Sequence, residues 1–133
     1  MSKGQSLKLP SCTTSLCRLE EFMREIAVKH SIHEEKFPDI LISLTEAVNN
    51  AIIHGNKSDQ NKHVRVLLTE TKTGLSFRVS DEGCGFNHKT IPDPTLAENI
   101  ECCGGRGVFL MKELSDDIAF LNEGRTVEMH FSV

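Results

Sequence analysis

Residues 44–55 spell Leu-Thr-Glu-Ala-Val-Asn-Asn-Ala-Ile-Ile-His-Gly, and this stretch decides the fold. The apolar positions around it are too many for one narrow helical stripe, so the sequence predicts a largely buried helix over residues 38–54. Glu46 and Asn50 are four residues apart, which places them on one helix face, one turn apart. Burying such a polar pair is unfavourable unless something satisfies it. The apolar residues that we expect in the core are Leu41, Leu44, Ala47, Val48, Ala51, Ile52 and Ile53.

Composition limits the class of protein. A chain of 133 residues with 38% apolar residues is expected to form one domain around a single core. The formal net charge of -4 and the absence of Trp and Tyr argue against a nucleic-acid partner. We see no secretory leader, and no apolar run approaches the ~18 residues of a membrane span. With an odd number of cysteines and no C-x-x-C pair, these features predict a soluble cytoplasmic protein and disfavour zinc.

The order of predicted elements indicates an α/β protein. Most strands follow one another as hairpins, which favours a mixed, largely antiparallel sheet. The helices are then expected to cover one face, forming an α/β two-layer sandwich over residues 1–133. Residues 56–63 are expected to form an exposed loop, and the long irregular segment 87–103 is typical of a functional loop. The predicted strands are 7–9, 64–71, 75–81, 118–121 and 126–131, and the predicted helices are 13–29, 38–54 and 107–114.

The Glu46 and Asn50 pair has chemistry suited to phosphate transfer. A carboxamide oxygen is a hard ligand for Mg²⁺, which takes few protein oxygens and completes its shell with water and phosphates. A carboxylate one turn away can accept a proton from an attacking hydroxyl. Considered alone, the same two side chains could equally form hydrogen bonds with neighbours in a buried helix.

Two glycine-rich segments add weaker signals. Asp81, Gly83 and Gly85 follow a predicted strand, where glycines allow a ligand to approach the backbone and Asp can accept a hydrogen bond from an amine. Residues 104–107, Gly-Gly-Arg-Gly, precede a predicted helix, where free backbone N–H groups bind phosphate. Taken singly, either segment could simply turn the chain. The second matches neither a Walker A loop nor a Rossmann fingerprint.

Taken together, the three segments resemble the ATP-binding domain of the Bergerat-fold (GHKL) superfamily of topoisomerases, heat-shock chaperones, histidine kinases and mismatch-repair ATPases. Within it, they are most similar to the bacterial anti-sigma-factor serine/threonine kinases. Residues 46–55 resemble the N box of that group, with Glu-Ala at its start and His-Gly at its end. Residues 81–86 resemble the G1 box, 104–111 the G2 box, and 124–127 the stretch before the last strand.

The resemblance implies ATP and Mg²⁺ as ligands and a role for each matched residue. Asn50 is expected to coordinate Mg²⁺ and Glu46 to act as the general base. Asp81 is expected to accept a hydrogen bond from the adenine amino group. The remaining nucleotide contacts that the resemblance implies are Gly83, Gly85, Gly104, Gly105, Arg106, Gly107 and Thr126, under a lid at residues 87–103.

The function implied by the resemblance is an ATP-dependent serine/threonine kinase that acts as an anti-sigma factor. Its expected partners are a STAS-type anti-anti-sigma protein, phosphorylated on serine, and/or a sigma factor, with a possible homodimer. Two alternatives stay open at this point. One is a non-catalytic, nucleotide-dependent binding module, and the other is a stand-alone histidine-kinase catalytic domain. Glu46 argues against the first, and the Glu-Ala and His-Gly ends of the N box argue against the second.

Overall fold

A computed structural model of the chain describes residues 5–12, 14–83, 105–122 and 125–132, with the backbone alone at residues 105–107. The predicted lid at residues 87–103 lies outside these ranges. The elements in chain order are β1 (Gln5–Pro10), α1 (Ser15–Lys29), α2 (Phe37–Asn50), a π-helical turn (Ala51–Gly55), β2 (His63–Glu70), β3 (Gly74–Ser80), α3 (Gly105–Leu114), β4 (Asp117–Leu121) and β5 (Thr126–Ser132).

The strands form one five-stranded sheet in the order β1-β2-β3-β5-β4. Every neighbouring pair of these described strands is antiparallel. The predicted α/β fold with a largely antiparallel sheet is therefore confirmed. The first strand is longer than the predicted 7–9, because Gln5 pairs with Leu68 and Pro10 pairs with His63 along the full edge of β2.

Strand residues alternate between the two faces of the sheet. In β2, Val64, Val66 and Leu68 are fully buried, whereas Arg65 and Leu67 between them are exposed. This period of two places one face against the helices and the other in solvent. The buried residues of β2, β3 and β5 share a single core with Leu19, Met23 and Ile26 of α1 and with Ile40, Leu44 and Val48 of α2.

The central helix differs from its prediction at its C-terminal end. The α-helical part stops at Asn50, and residues 51–55 form a wider π-helical turn. The Asn56 N–H donates to the Ala51 carbonyl over 2.8 Å, which is the i to i−5 spacing of a π-helix. Such turns are frequent at functional sites. A connection of seven residues, 56–62, then leads to β2.

The same region corrects two predictions of burial. Ile53, expected in the core, is 41% exposed and lies on the wall of a cavity described below. Asn56, expected in an exposed loop, is only 1% exposed. The π-helical turn explains the exposure of Ile53, because its wider turn rotates the positions after Asn50 relative to an α-helix. Asn56 is buried because its side chain forms hydrogen bonds with Ser11, His63 and Glu82.

Candidate functional site

A cavity of about 290 Å³ lies where the end of α2, the π-helical turn and α3 meet adjoining ends of β3, β4 and β5. Its volume is close to the lower end, about 300 Å³, of typical small-ligand pockets. Mostly apolar walls with a few polar groups are typical of sites for small organic ligands. The apolar walls include Ala47, Ala51, Val79, Val108, Met111 and Val127, which come from five separate elements.

Asn50 and Glu46 occupy different positions relative to this cavity. Asn50 is the last residue of α2 and lines the cavity, whereas Glu46 lies one turn earlier and is not among the lining residues. Both side chains are half-buried. Within the described ranges, neither side chain has a hydrogen-bond or ion-pair partner. A free carboxamide oxygen on the cavity wall is a ligand that suits Mg²⁺. This part of the site therefore fits the metal implied by the sequence.

Asp81 follows β3 directly and also lines the cavity. Its backbone N–H donates to the Arg125 carbonyl over 2.8 Å, and its Oδ1 accepts from the Gly83 N–H over 2.8 Å. Among described residues, Oδ2 accepts no hydrogen bond. The carboxylate therefore keeps one oxygen for a donor on a ligand.

The environment of Asp81 disfavours its charge. Burial raises the pKa of the Asp81 carboxyl above its ordinary value. The hydrogen bond from Gly83 and the positive charges of Arg125 and Lys62 lower the pKa, but by less than burial raises it. A partly desolvated acceptor of this kind gains more from a ligand N–H than one in water.

Two glycines let the backbone pack tightly around Asp81. A Cβ at Gly55 would overlap the Asp81 carboxylate, and a Cβ at Gly83 would overlap the Gly55 carbonyl. Both positions therefore require glycine because of close approach. The end of the π-helical turn and the segment after β3 are thereby held in direct contact.

The raised pKa of Asp81 predicts a stability gain when its charge is removed. In the folded chain its pKa lies above the ordinary value of 3.8 that applies when unfolded. Between these values the folded state binds more protons, so the free energy of unfolding falls as pH rises through that window. Asp81→Asn, which retains an oxygen for the Gly83 amide, should therefore raise the free energy of unfolding at neutral pH. Urea unfolding should show this gain shrinking as the pH falls toward 3.8.

The control is Asp59→Asn, which makes the same change of charge on an exposed loop residue. Its effect on unfolding should be small at neutral pH. A lower free energy of unfolding for Asp81→Asn than for the unmodified protein at neutral pH would contradict a dominant effect of burial.

The structure describes the other predicted nucleotide contacts only in part. Gly105 and Gly107 form the first turn of α3, whose Val108 and Met111 line the cavity. Arg106 lies in the same turn, and Gly85 and Gly104 lie outside the described residues.

Thr126 is the first residue of β5 and is buried beside the cavity, between two lining residues, Arg125 and Val127. Its hydroxyl accepts from Asn122 Nδ2 over 3.0 Å and lies 3.0 Å from Ser80 Oγ. Thr126 itself is not among the lining residues.

Sequence reasoning missed several residues of the site. His54, Lys57 and Arg125 are exposed and line the cavity, where Lys57 and Arg125 offer positive charge to an anionic ligand. His54 and Arg125 lie inside motifs that the sequence analysis quoted, so their positions could have drawn attention. Asn56 has no sequence signal, because its burial depends on contacts with residues distant in the chain.

Comparison with known proteins agrees with this geometry. The profile of the family described as the histidine kinase-like ATPase domain matches residues 9–131. The chain belongs to this family. The matched region of the histidine kinase-like ATPase domain spans β1 to β5 and therefore includes the whole of the described cavity.

Curated relatives within this family are bacterial kinases. The serine-protein kinase RsbW of Listeria monocytogenes is 31% identical over 133 residues, which cover 93% of this chain and 83% of the relative. RsbW of Bacillus subtilis is 31% identical over 104 residues, covering 71% and 64%. RsbW of Bacillus licheniformis is 30% identical over 113 residues, covering 78% and 69%. The predicted membership among the serine kinases of this superfamily is confirmed.

The lengths and hydropathies of the described helices bear on membrane insertion. None of the helices in the described ranges is long and apolar enough to cross a membrane.

Proposed function

We propose that this protein is a cytoplasmic, Mg²⁺- and ATP-dependent serine/threonine kinase that acts as an anti-sigma factor. It transfers phosphate to a serine of a STAS-type anti-anti-sigma protein and/or sequesters a sigma factor, with a homodimer as a possible assembly. The observation that carries the proposal is the cavity that joins Asn50, at the end of α2, to Asp81, after β3. The serine-protein kinases among its relatives support the reaction class.

Two polar groups that line the cavity, those of Asp81 and Asn50, suit two parts of ATP. The Asp81 carboxylate accepts a hydrogen bond from the exocyclic amine of adenine, and the apolar walls hold the purine ring. Asn50 would hold Mg²⁺, which would neutralise phosphate charge and orient the transferred group. Gly105 and Gly107, in the first turn of α3, offer backbone N–H groups to the phosphates.

The transfer step uses Glu46. The hydroxyl oxygen of the partner serine bonds to the γ-phosphorus, and the bond from that phosphorus to the β–γ bridging oxygen breaks, releasing ADP. Glu46 accepts the hydroxyl proton and returns it to solvent. A catalytic base is often loosely placed before substrate binds, which is compatible with the position of Glu46 outside the cavity lining, one helical turn before Asn50.

One observation favours a second candidate, a nucleotide-dependent binding module without phosphate transfer. Glu46 is absent from the lining residues of the cavity. In this alternative, Glu46 supports the end of α2, and ATP controls only the affinity for a partner.

The test combines partner capture with a transfer assay. Partners are captured from source cells with ATP and with ADP, and each is purified and incubated with the protein and γ-labelled ATP. Acid-stable label on a serine supports the kinase. Acid-labile label indicates a histidine acceptor, and nucleotide-dependent capture without label indicates the binding module. Absence of ATP binding would overturn the proposal itself.

A further inference from the structure

We propose that Asn56 is a positioning residue that aims the Asp81 carboxylate at the exocyclic amine of the base and so sets base selectivity. The inference rests on the proposed function, because it assumes that Asp81 binds adenine. Asn56 itself is not in the cavity lining, and it acts on the ligand only through Asp81.

Asn56 is the centre of a buried hydrogen-bond network. Its Oδ1 accepts from the Glu82 N–H over 2.7 Å. Its Nδ2 donates to Ser11 Oγ over 2.8 Å and to the His63 carbonyl over 3.1 Å. Only a side chain with a donor and an acceptor on one planar group can make all of these bonds together. Asn56 therefore joins the ends of β1 and β3 to the beginning of β2.

The bond to Glu82 holds the segment that carries Asp81. On one side, the Asp81 N–H is held by the Arg125 carbonyl, and on the other side the Glu82 N–H is held by Asn56. The peptide units on both sides of the Asp81 side chain are thus fixed. With Gly83 also bonded to Oδ1, the direction of the carboxylate is set by the backbone around it.

Asn56 also connects Asp81 to the end of the helix that carries Asn50. The backbone of Asn56 closes the π-helical turn by donating to Ala51, and Gly55 in that turn packs against the Asp81 carboxylate. Asp81, the proposed acceptor for the base, is therefore held at a fixed distance from Asn50, the proposed ligand for the metal. A nucleotide that contacts both residues needs the distance between them to match its own length.

Glu82 adds a second connection between the same segments. Its carboxylate accepts from the His63 N–H and lies 3.8 Å from His63 Nδ1. The Ser11 hydroxyl donates to the Lys62 carbonyl over 2.6 Å, which completes the path between β1 and β2. These contacts hold the surroundings of Asn56 in place, so removing its side chain should act mainly on the unpaired Glu82 amide and the adjoining Asp81.

The experiment compares two nucleotides that differ only at the group Asp81 is proposed to bind. Equilibrium affinities are measured for ATP and for purine riboside triphosphate, which lacks the exocyclic amine. The unmodified protein should prefer ATP by at least about tenfold, because a site built to bind an N–H discriminates against its absence. Asn56→Ala should lose most of that preference while its affinity for purine riboside triphosphate changes little.

Matched variants separate positioning from general damage. Asn61→Ala removes the same side chain from an exposed position in the same loop and should keep the preference. Should Asn56→Ala fail to fold, Asn56→Ser replaces it, since serine also lacks the carboxamide oxygen.

The outcomes separate the proposed role of Asn56 from the proposed role of Asp81. Equal losses for both nucleotides, or an unchanged preference in Asn56→Ala or Asn56→Ser, overturn the positioning role. If the unmodified protein binds both nucleotides equally, the proposed role of Asp81 fails first, and the inference about Asn56 fails with it.

Discussion

Asn50→Ala is expected to abolish Mg²⁺-dependent ATP binding while leaving the fold intact. Asn50 lines the cavity with a carboxamide that has no hydrogen-bond partner within the described residues. Without it, Mg²⁺ loses its protein ligand, and affinity for ATP in the presence of Mg²⁺ should fall by about 100-fold. Isothermal titration of ATP with Mg²⁺ and with EDTA measures this loss of affinity. In EDTA, Asn50→Ala and the unmodified protein should bind ATP with the same affinity.

The matched control is Asn49→Ala, which truncates the neighbouring half-buried asparagine outside the cavity wall. Because neither truncation leaves a described buried group without its partner, both should change the free energy of unfolding by only about 0.5 kcal/mol. Unchanged Mg²⁺-dependent affinity in Asn50→Ala would remove Asn50 from the metal site.

Glu46→Ala is expected to bind ATP but to transfer phosphate to its partner about 10²- to 10⁴-fold more slowly, the usual contribution of a general base. Glu46 does not line the cavity, so ground-state binding of the nucleotide should change little. Single-turnover transfer from γ-labelled ATP to the captured partner measures the rate of the chemical step separately from binding and product release.

Glu46→Gln distinguishes a base from a structural side chain. Glutamine keeps the size and hydrogen-bonding capacity of Glu46 but has no basic carboxylate, so it should be as slow as Glu46→Ala. Glu21→Ala, on the exposed face of α1, should transfer phosphate at the unmodified rate. A normal rate in Glu46→Gln would assign Glu46 to holding the end of α2 in shape.

Much of the architecture was predictable because it depends on local patterns. The alternation of Leu75, Phe77 and Val79 with polar neighbours specifies the half-buried strand β3, and helical spacing specifies α1. The segments that resemble the N box and the G1 box were also found in sequence, since they are short and contiguous. Asn50 and Asp81 from these segments do line one cavity.

The two errors of burial lie at the C-terminal end of the central helix. The π-helical turn cannot be inferred from the apolar run Ala51-Ile52-Ile53, which suits an α-helix equally well. Its hydrogen bonds join residues five positions apart, compared with four in an α-helix, and the N–H of the buried Asn56 donates one of them. Ile53 is exposed because this wider turn rotates the positions after Asn50.

The sequence by itself determined the order of the strands and helices, the family, and the types of side chain available for nucleotide chemistry. These follow from periodicity and from motifs contained within a dozen residues. Only the tertiary structure decided that Glu46 is not among the residues lining the cavity, that Gly55 packs on the Asp81 carboxylate, and that Asn56 is buried. Each of these depends on contacts between residues tens of positions apart, which local spacing does not encode.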